Sequence, residues 1–212
     1  MVVKAKANLH FNWSFANGKI RKSWERTRKG RRIVVAVTFN LLPKITCPSK
    51  GECRNFCYAC KGNFTYPAPM RTRRENQELV ESYIADGSFF ARMNADIAYL
   101  RGIGIEVIRL HDSGDFYSRE YINSWVEVME ANNDILFYAY TKSHYGFHNI
   151  PRNFKLIQSY GGKNDNLINT NKPHALIFHS LAELKAAGYI DCHSNDAIAA
   201  KAEVVRVGLL AH

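Results

Sequence analysis

The sequence predicts an α/β fold in the form of a partial, open TIM-type barrel of about six parallel strands. Short runs of β-branched and apolar residues alternate along the chain with segments of helical pattern, which is typical of a parallel sheet. The 212 residues are too few for a closed eight-unit barrel, which takes about 250. Polar clusters follow most of the strands, and the carboxyl ends of parallel strands are where such folds place their chemistry.

The strands are predicted from composition. Residues 33–39 (IVVAVTF) are apolar and rich in β-branched side chains, as expected of a strand that is buried on both faces. The runs IEVIRL at 105–110 and ILFYAY at 135–140 have the same character. Three further runs complete the predicted sheet: 154–159, 175–179 and 203–207.

Helices are predicted between these strands. Residues 72–101 have a helical pattern with a break near Gly87, because glycine interrupts a helix. Residues 117–132 form a second helix, for which Ser118 is the expected N-cap. A third helix precedes the last strand and should end at Gly188, because glycine readily adopts the left-handed conformation that closes a helix.

Composition indicates a folded chain without a membrane segment. Hydrophobic residues make up 46% of the sequence and aromatic residues 12%, which is enough for a packed core. No stretch approaches the roughly 18 consecutive apolar residues of a membrane span. The first residues, MVVKAKANLHFNW, lack the apolar core of a secretory signal. We therefore expect a cytoplasmic protein with no membrane partner.

Positive charge is concentrated at the N-terminus. Residues 1–32 contain ten Lys or Arg and one acidic residue, a net charge of +9, whereas residues 33–212 carry nineteen basic and eighteen acidic residues, a net charge of +1. This predicts a basic arm over 1–32 and one α/β domain over 33–212. A basic block that contains Trp24 suits phosphates and one stacked base, although a solvated arm fits the same composition. The predicted nucleic-acid contacts are Lys19, Arg21, Lys22, Arg26, Arg28, Lys29, Arg31 and Arg32.

Four of the five cysteines lie within fourteen residues of a predicted loop over 41–69. Thiolates this close together can converge on one soft metal centre, either an iron–sulfur cluster or a zinc ion. Zinc sites usually consist of two cysteine pairs with a longer spacer, whereas the spacings here are five, three and two residues. The compact run favours a [4Fe–4S] cluster, with zinc as the alternative metal. The predicted ligands are Cys47, Cys53, Cys57 and Cys60.

The last three of these cysteines have a spacing, Cys53-x3-Cys57-x2-Cys60, that resembles the cluster loop of radical S-adenosylmethionine (SAM) enzymes. Their place after the first predicted sheet strand strengthens the resemblance. Three cysteine ligands would leave one iron open to the amino and carboxylate groups of SAM. Four would close the cluster, which would then be structural or a one-electron relay.

Five stretches between residues 16 and 143 carry a second resemblance: ANGKIRK (16–22), FNLLPKITCP (39–48), CRNFCYA (53–59), GDFYSREYINSW (114–125) and FYAYTKS (137–143). They resemble the gene product 88 family of tailed phages. The resemblance implies a viral protein, located in the host cytoplasm, and aligns Cys47, Cys53 and Cys57 as the shared cysteines. Family members carry further cysteines near the C-terminus, where this chain has Cys192, so no second cluster is expected.

Two strand-end turns are predicted to hold SAM. The turn HDSGDF at 111–116 resembles the one that holds the SAM amino group in radical SAM enzymes, because glycine permits a tight turn and a carboxylate pairs with an ammonium. A turn whose Asp caps the next helix fits as well. Asp112 and Asp115 are the candidate catalytic carboxylates, since such a pair can hold different protonation states. The predicted SAM contacts are Ser113, Gly114 and Asp115, and after the next strand Thr141, Lys142 and Ser143, which also fit an ordinary polar strand exit.

These features lead us to expect an iron–sulfur, radical-SAM-like enzyme that modifies a nucleic acid or nucleotide, with the basic arm holding the substrate. Two alternatives stay open. One is a zinc-bearing transglycosylase-like enzyme with Asp112 as base or nucleophile, since DSGDF is faintly similar to the substrate-binding turn of tRNA-guanine transglycosylases. The other is a non-enzymatic nucleic-acid-binding module whose metal staples a short chain.

Overall fold

An eight-stranded sheet is the framework of the computed structural model, which describes residues 9–15, 17–55 and 57–211. None of the described helices is long and apolar enough to cross a membrane. The strands are β1 (Trp13–Ser14), β2 (Glu25–Arg28), β3 (Arg31–Val34), β4 (Ala36–Phe39), β5 (Val107–Leu110), β6 (Leu136–Thr141), β7 (Phe154–Ser159), β8 (His174–Phe178), β9 (Ile190–Asp191) and β10 (Arg206–Leu210). The helices are α1 (Gly18–Ser23), α2 (Pro67–Ala85), α3 (Phe89–Gly102), α4 (Arg119–Ala131), α5 (Leu181–Ala186) and α6 (Asp196–Ala199).

The sheet is open and mostly parallel. Its order is β1-β4-β5-β6-β7-β8-β10-β9, and β2 and β3 form a separate two-stranded ribbon. The edge strand β1 is antiparallel to β4, whereas the other neighbours in the sheet run parallel. From β4 to β8 each strand is added beside the preceding one. The predicted α/β class with a mostly parallel sheet is confirmed, and no barrel closes within the described part of the chain.

Each of the six predicted runs supplies a parallel strand. The first run differs most from the prediction, because residues 31–34 belong to the ribbon and β4 begins at Ala36. Lys29 and Gly30 both have positive φ, 51° and 71°, and this tight turn directs β3 back onto β2. The N-terminal segment is therefore a helix and a ribbon packed on the domain, not an arm that ends at residue 32. The two-residue strands β1 and β9 are too short to leave a pattern in the sequence.

One face of the sheet is covered by α2, α3 and α4, which enclose the main apolar core. Phe39, Ile108 and Phe137 point from the strands into this core, and Trp125 meets them from α4. The predicted break near Gly87 is confirmed, because α2 ends at Ala85 and α3 begins at Phe89. Two other predicted helix ends are also present: the hydroxyl of Ser118 accepts the Tyr121 N–H at 3.1 Å, and Gly188, with φ 72°, follows α5.

The opposite face is covered by α1 and α6. The buried side chains of Ile20 and Trp24 from α1 and its end pack on β4, β5 and β6 in a second apolar cluster. Ser23 also joins the two helices, since its hydroxyl accepts the Asp196 N–H at 2.8 Å. Helix α1 therefore fixes the N-terminal segment against the sheet.

A buried ionic network lies on this second face, centred on Asp196. The carboxylate accepts bonds from Lys19 Nζ and Arg109 Nη1, both at 2.6 Å. The hydroxyls of Tyr138 and Tyr140 approach it at 3.3 and 3.4 Å. Burial acts to raise the pKa of Asp196, but Arg109 and Lys19 outweigh it and hold the pKa below its usual value. The carboxylate is therefore ionised and links α6 to α1, β5 and β6.

The cysteine loop, residues 40–66, connects β4 to α2 and is docked on the carboxyl end of the sheet. After β5, Leu41 N–H donates to the Ser113 carbonyl at 3.0 Å. After β7, Cys53 N–H donates to the Gly161 carbonyl at 3.3 Å. The loop approaches this second turn so closely that a Cβ on Gly51 would lie 2.7 Å from the backbone of Gly162. Glycine at 51 thus permits the docking.

We predict that Asp196→Asn lowers the free energy of unfolding by about 3–5 kcal/mol, because it leaves Arg109 and Lys19 without their buried counter-charge. Denaturant unfolding at neutral pH measures this. Asp134→Asn is the control, since Asp134 pairs with Arg101 at the surface and should contribute less than about 1 kcal/mol. Because the folded pKa of Asp196 is depressed below the ordinary 3.8, its contribution is present above that pH and is lost as the pH falls below it. Equal losses in both variants would contradict the network's role.

We predict that Gly51→Ala destabilises the docked cysteine loop by about 1–3 kcal/mol, because the added methyl group overlaps the Gly162 backbone. Thermal melting should fall, and the loop thiols should react faster with a thiol reagent. Gly102→Ala is the matched control, since a Cβ at Gly102 meets nothing within 4 Å. An unchanged thiol reaction rate in Gly51→Ala would show that the contact does not hold the loop.

Candidate functional site

The four cysteines of the loop are free and half-buried. Burial, followed by the nearby Asp115, Cys57 and Cys53, raises the pKa of the Cys47 thiol to about 12, although a backbone hydrogen bond opposes the shift. The pKa of Cys57 is raised by burial and by Cys60, to which it is hydrogen-bonded. These pKa shifts link Cys47 with Cys53 and Cys57, and link Cys57 with Cys60. Cys192, in contrast, lies in a separate apolar cluster beside β10.

The chemistry of this group suits a soft metal. Thiols that raise one another's pKa are thiols whose anions repel, and a bound cation relieves the repulsion and favours deprotonation. In the arrangement that the described residues adopt, no three His, Cys, Asp or Glu side chains form a group that could hold a metal ion. Ligation by Cys47, Cys53, Cys57 and Cys60 therefore stays a prediction, for zinc as for iron.

Tyr58, between Cys57 and Cys60, anchors this part of the loop to the turn after β5. Its ring is 45% exposed, but its hydroxyl reaches inward and donates to the backbone carbonyl of Asp112. The ring packs edge-on against Phe64, with centroids 5.4 Å apart. Two of the four cysteines are thus held by a tyrosine that rests on the turn after β5. The sequence analysis missed Tyr58, because a tyrosine between cysteines has no distinguishing local pattern.

The turn after β5 is closely bonded into the protein. Asp112 accepts from Asn17 Nδ2 at 2.5 Å and lies 3.7 Å from Arg109 Nη2. The Ser113 hydroxyl donates to the Leu41 carbonyl at 2.8 Å. Gly114, with φ 85°, faces the cysteine loop with no room for a side chain, since a Cβ there would lie 2.6 Å from Thr46 Oγ1. The predicted tight glycine turn is present.

Asp115 joins the end of β5 to the end of β6. Its carboxylate accepts three hydrogen bonds: from the Thr141 hydroxyl at 2.6 Å and from the N–H groups of Lys142 and Phe116, both at 2.8 Å. Burial raises the pKa of Asp115 although these bonds oppose it. The Ser143 hydroxyl donates to the Phe116 carbonyl at 2.7 Å. The predicted SAM contacts therefore lie together at one edge, with their polar atoms hydrogen-bonded within the protein, and their binding of SAM stays a prediction.

Lys142 is the member of this group whose charge faces the cysteine loop. Its ammonium donates to the Ser159 hydroxyl at 2.9 Å. Lys142 and Cys53 both approach Gly161: a Cβ added to this glycine would lie 3.6 Å from Lys142 Cε and 3.8 Å from Cys53 Cβ. Lys142 therefore lies against the turn at Gly161 on which the backbone of Cys53 is docked.

His144 is a second residue that the sequence analysis missed. Its side chain is fully buried, its Nε2 lies 4.0 Å from Asp165 Oδ1, and neither ring nitrogen has a hydrogen-bond partner among the described residues. Burial lowers its pKa, although Asp165 opposes this. Asp165 itself accepts the N–H groups of Gly161 and Gly162 at 2.8 and 2.9 Å. The only local signal for His144 is that it follows the TKS turn directly.

The predicted nucleic-acid contacts fall into two groups. Lys19 is committed to Asp196 inside the protein, Arg26 and Arg28 both pair with Glu106, and Arg32 pairs with Glu25. The other four are exposed and form no salt bridge to an acidic side chain in the described chain: Arg21, Lys22, Lys29 and Arg31.

The basic residues of the ribbon do not lie beside the cysteine loop. The ribbon leads into the amino end of β4, and its arginines contact Glu106, which precedes β5. The cysteine loop lies at the carboxyl ends of the same strands. The ribbon and the cysteine loop therefore lie at opposite ends of the sheet, and the prediction that the basic segment holds a substrate at the metal site stays a prediction.

Comparison with known proteins gives one match. The family model for Gene product 88 matches residues 12–210, which includes the ribbon, the cysteine loop and β10. Neither the curated proteins nor the solved structures contain a significant match to the chain. The match confirms the family to which the five sequence stretches pointed. The chain belongs to the phage Gene product 88 family.

Proposed function

We propose that this protein is a [4Fe–4S]-binding, radical-SAM-like enzyme that modifies nucleic acid. The observation that carries the proposal is the placement of four interacting thiols in one loop, docked over the carboxyl end of a parallel sheet. Chemistry in parallel α/β folds is located at that end. The proposal includes the fold: a TIM-type half-barrel.

The order of the strands supports this fold. From β4 to β8 the sheet grows in one direction, and successive right-handed crossovers in one direction bring their connections to one face. The long helices α2, α3 and α4 all pack on that face. The proposed half-barrel would have this winding, with the sheet left open. The antiparallel strand β1 pairs with β4 at one edge.

The cysteines are the proposed cluster ligands. Cys53, Cys57 and Cys60 have the radical SAM spacing, while Cys47 interacts with both Cys53 and Cys57. When bound, a cluster held by three cysteines supplies one electron and an open iron for the amino and carboxylate groups of SAM. Burial holds the pKa of both Cys47 and Cys57 above its ordinary value, and a bound metal would supply the positive charge that favours the thiolates.

The two strand-end turns have a distinct task in the proposal. Asp115 holds the ends of β5 and β6 together through Thr141 and the Lys142 N–H, and so fixes the floor beneath the loop. Asp112 anchors Tyr58, because its backbone carbonyl accepts the hydrogen bond from the Tyr58 hydroxyl. Their roles as SAM contact and catalytic carboxylate are part of the proposal, and a bound ligand would have to replace bonds that these side chains now make within the protein.

The first test is the metal. We predict that protein purified without oxygen is brown, absorbs at about 400 nm and contains about four irons and four sulfides per chain. Cys57→Ala should lose most of this iron, whereas Cys192→Ala, whose thiol is remote from the loop, should retain it. A colourless protein with one zinc would overturn the iron–sulfur assignment and favour a zinc-bearing enzyme or binding module.

The second test is the reaction. With dithionite as electron donor, we predict that the iron-loaded protein cleaves SAM to methionine and 5′-deoxyadenosine, measured by chromatography. Cys57→Ala should abolish the cleavage, and Cys192→Ala should leave it unchanged. An iron-loaded protein that produces no 5′-deoxyadenosine would indicate a closed cluster with four cysteine ligands, and the enzyme proposal would fail while the metal assignment stood.

A further inference from the structure

The ribbon formed by β2 and β3 is a separate two-stranded element with an exposed surface. It is not hydrogen-bonded into the main sheet, all four residues of β2 are exposed, and so are the first two of β3. Its tip is the two-residue turn Lys29-Gly30, in which both residues have positive φ. This type of turn matches the natural twist of a two-stranded ribbon. The ribbon is therefore a regular hairpin whose tip is accessible to a partner.

One charge pair on the ribbon opposes its stability, although Arg32 pairs with Glu25 across it. Arg28 stands directly opposite Arg31 in the strand register, and like charges in opposed positions destabilise a strand pair. Glu106 compensates in part, through Arg28 at 2.9 Å and Arg26 at 3.6 Å. Lys29 and Arg31 have no acidic partner among the described side chains. A surface that keeps such repulsion in the free protein is complementary to a polyanion.

We propose that this ribbon docks in the major groove of B-form duplex DNA, with Lys29 and Arg31 at the phosphates. The major groove of B-DNA is wide enough for a two-stranded ribbon, whereas that of A-form RNA is too narrow for side chains to enter. The inference rests on the proposed function in taking nucleic acid as the partner. It does not depend on a metal, because the ribbon lies at the amino end of the strands, away from the cysteine loop.

Fluorescence anisotropy tests the proposal with a labelled DNA duplex of about two helical turns, the same sequence as RNA duplex, and one single DNA strand. The duplex DNA should bind tightest. The double variant Lys29→Ala/Arg31→Ala should weaken that binding about tenfold or more at low salt and reduce the slope of log affinity against log salt by about two, because two phosphates are no longer neutralised. It should fold normally, because it removes a repulsion with Arg28, and thermal melting checks this.

Lys172→Ala/Lys185→Ala is the matched control, since it removes the same charge from exposed positions away from the ribbon and should change affinity less than about twofold. Equal weakening in both variants would overturn the ribbon assignment. Equal or tighter binding of RNA duplex or single strand would overturn the duplex DNA partner, and so would the lack of any binding. Iron content, measured on the same wild-type sample, reports separately on the proposed enzyme.

Discussion

The buried carboxylate of Asp196 is the constraint on which one whole face of the sheet depends. The apolar cluster on that face is small, and α1 and α6 are only six and four residues long, too short to be stable without tertiary contacts. Lys19 and Arg109 bring α1 and β5 to the same carboxylate at 2.6 Å. A buried charge pair costs several kcal/mol if either partner is misplaced, so these contacts fix where the two short helices lie.

The position of the cysteine loop follows from the same network. Arg109 lies between Asp196 and Asp112. Asp112 in turn accepts hydrogen bonds from Asn17 Nδ2 and from the Tyr58 hydroxyl. The loop therefore rests on charged and hydrogen-bonded groups, with the Gly51 contact to the next turn as its second support. Such bonds are directional, whereas apolar packing is not. The backbone of the cysteine loop is thus positioned by its contacts with the rest of the fold.

The sequence predicted the parts of this architecture that have local signals. Apolar β-branched runs identified the six main strands, and Ser118 and Gly188 marked helix ends. The ribbon was missed because Arg31–Val34 and Ala36–Phe39 belong to one continuous stretch that runs from basic to apolar residues, and the turn before it, Lys-Gly, is not among the strongest hairpin signals. The network was invisible for another reason: Arg109 and Asp196 are 87 residues apart, and neither lies in a motif. The cysteines were conspicuous, but Tyr58 and His144 acquire meaning only from contacts made across the fold.

The separation of the ribbon from the cysteine loop bears on the kind of substrate that the proposed enzyme would take. The strands between them contain four to six residues, which at about 3.3 Å per residue span roughly 13–20 Å. Duplex DNA rises about 3.4 Å per base pair, so this distance corresponds to about four to six base pairs. A single nucleotide is too small to contact the ribbon and the cysteine loop together. One molecule that uses both surfaces has to be a polymer, and the basic ribbon therefore argues for nucleic acid, not a free nucleotide, as the substrate of the proposed enzyme.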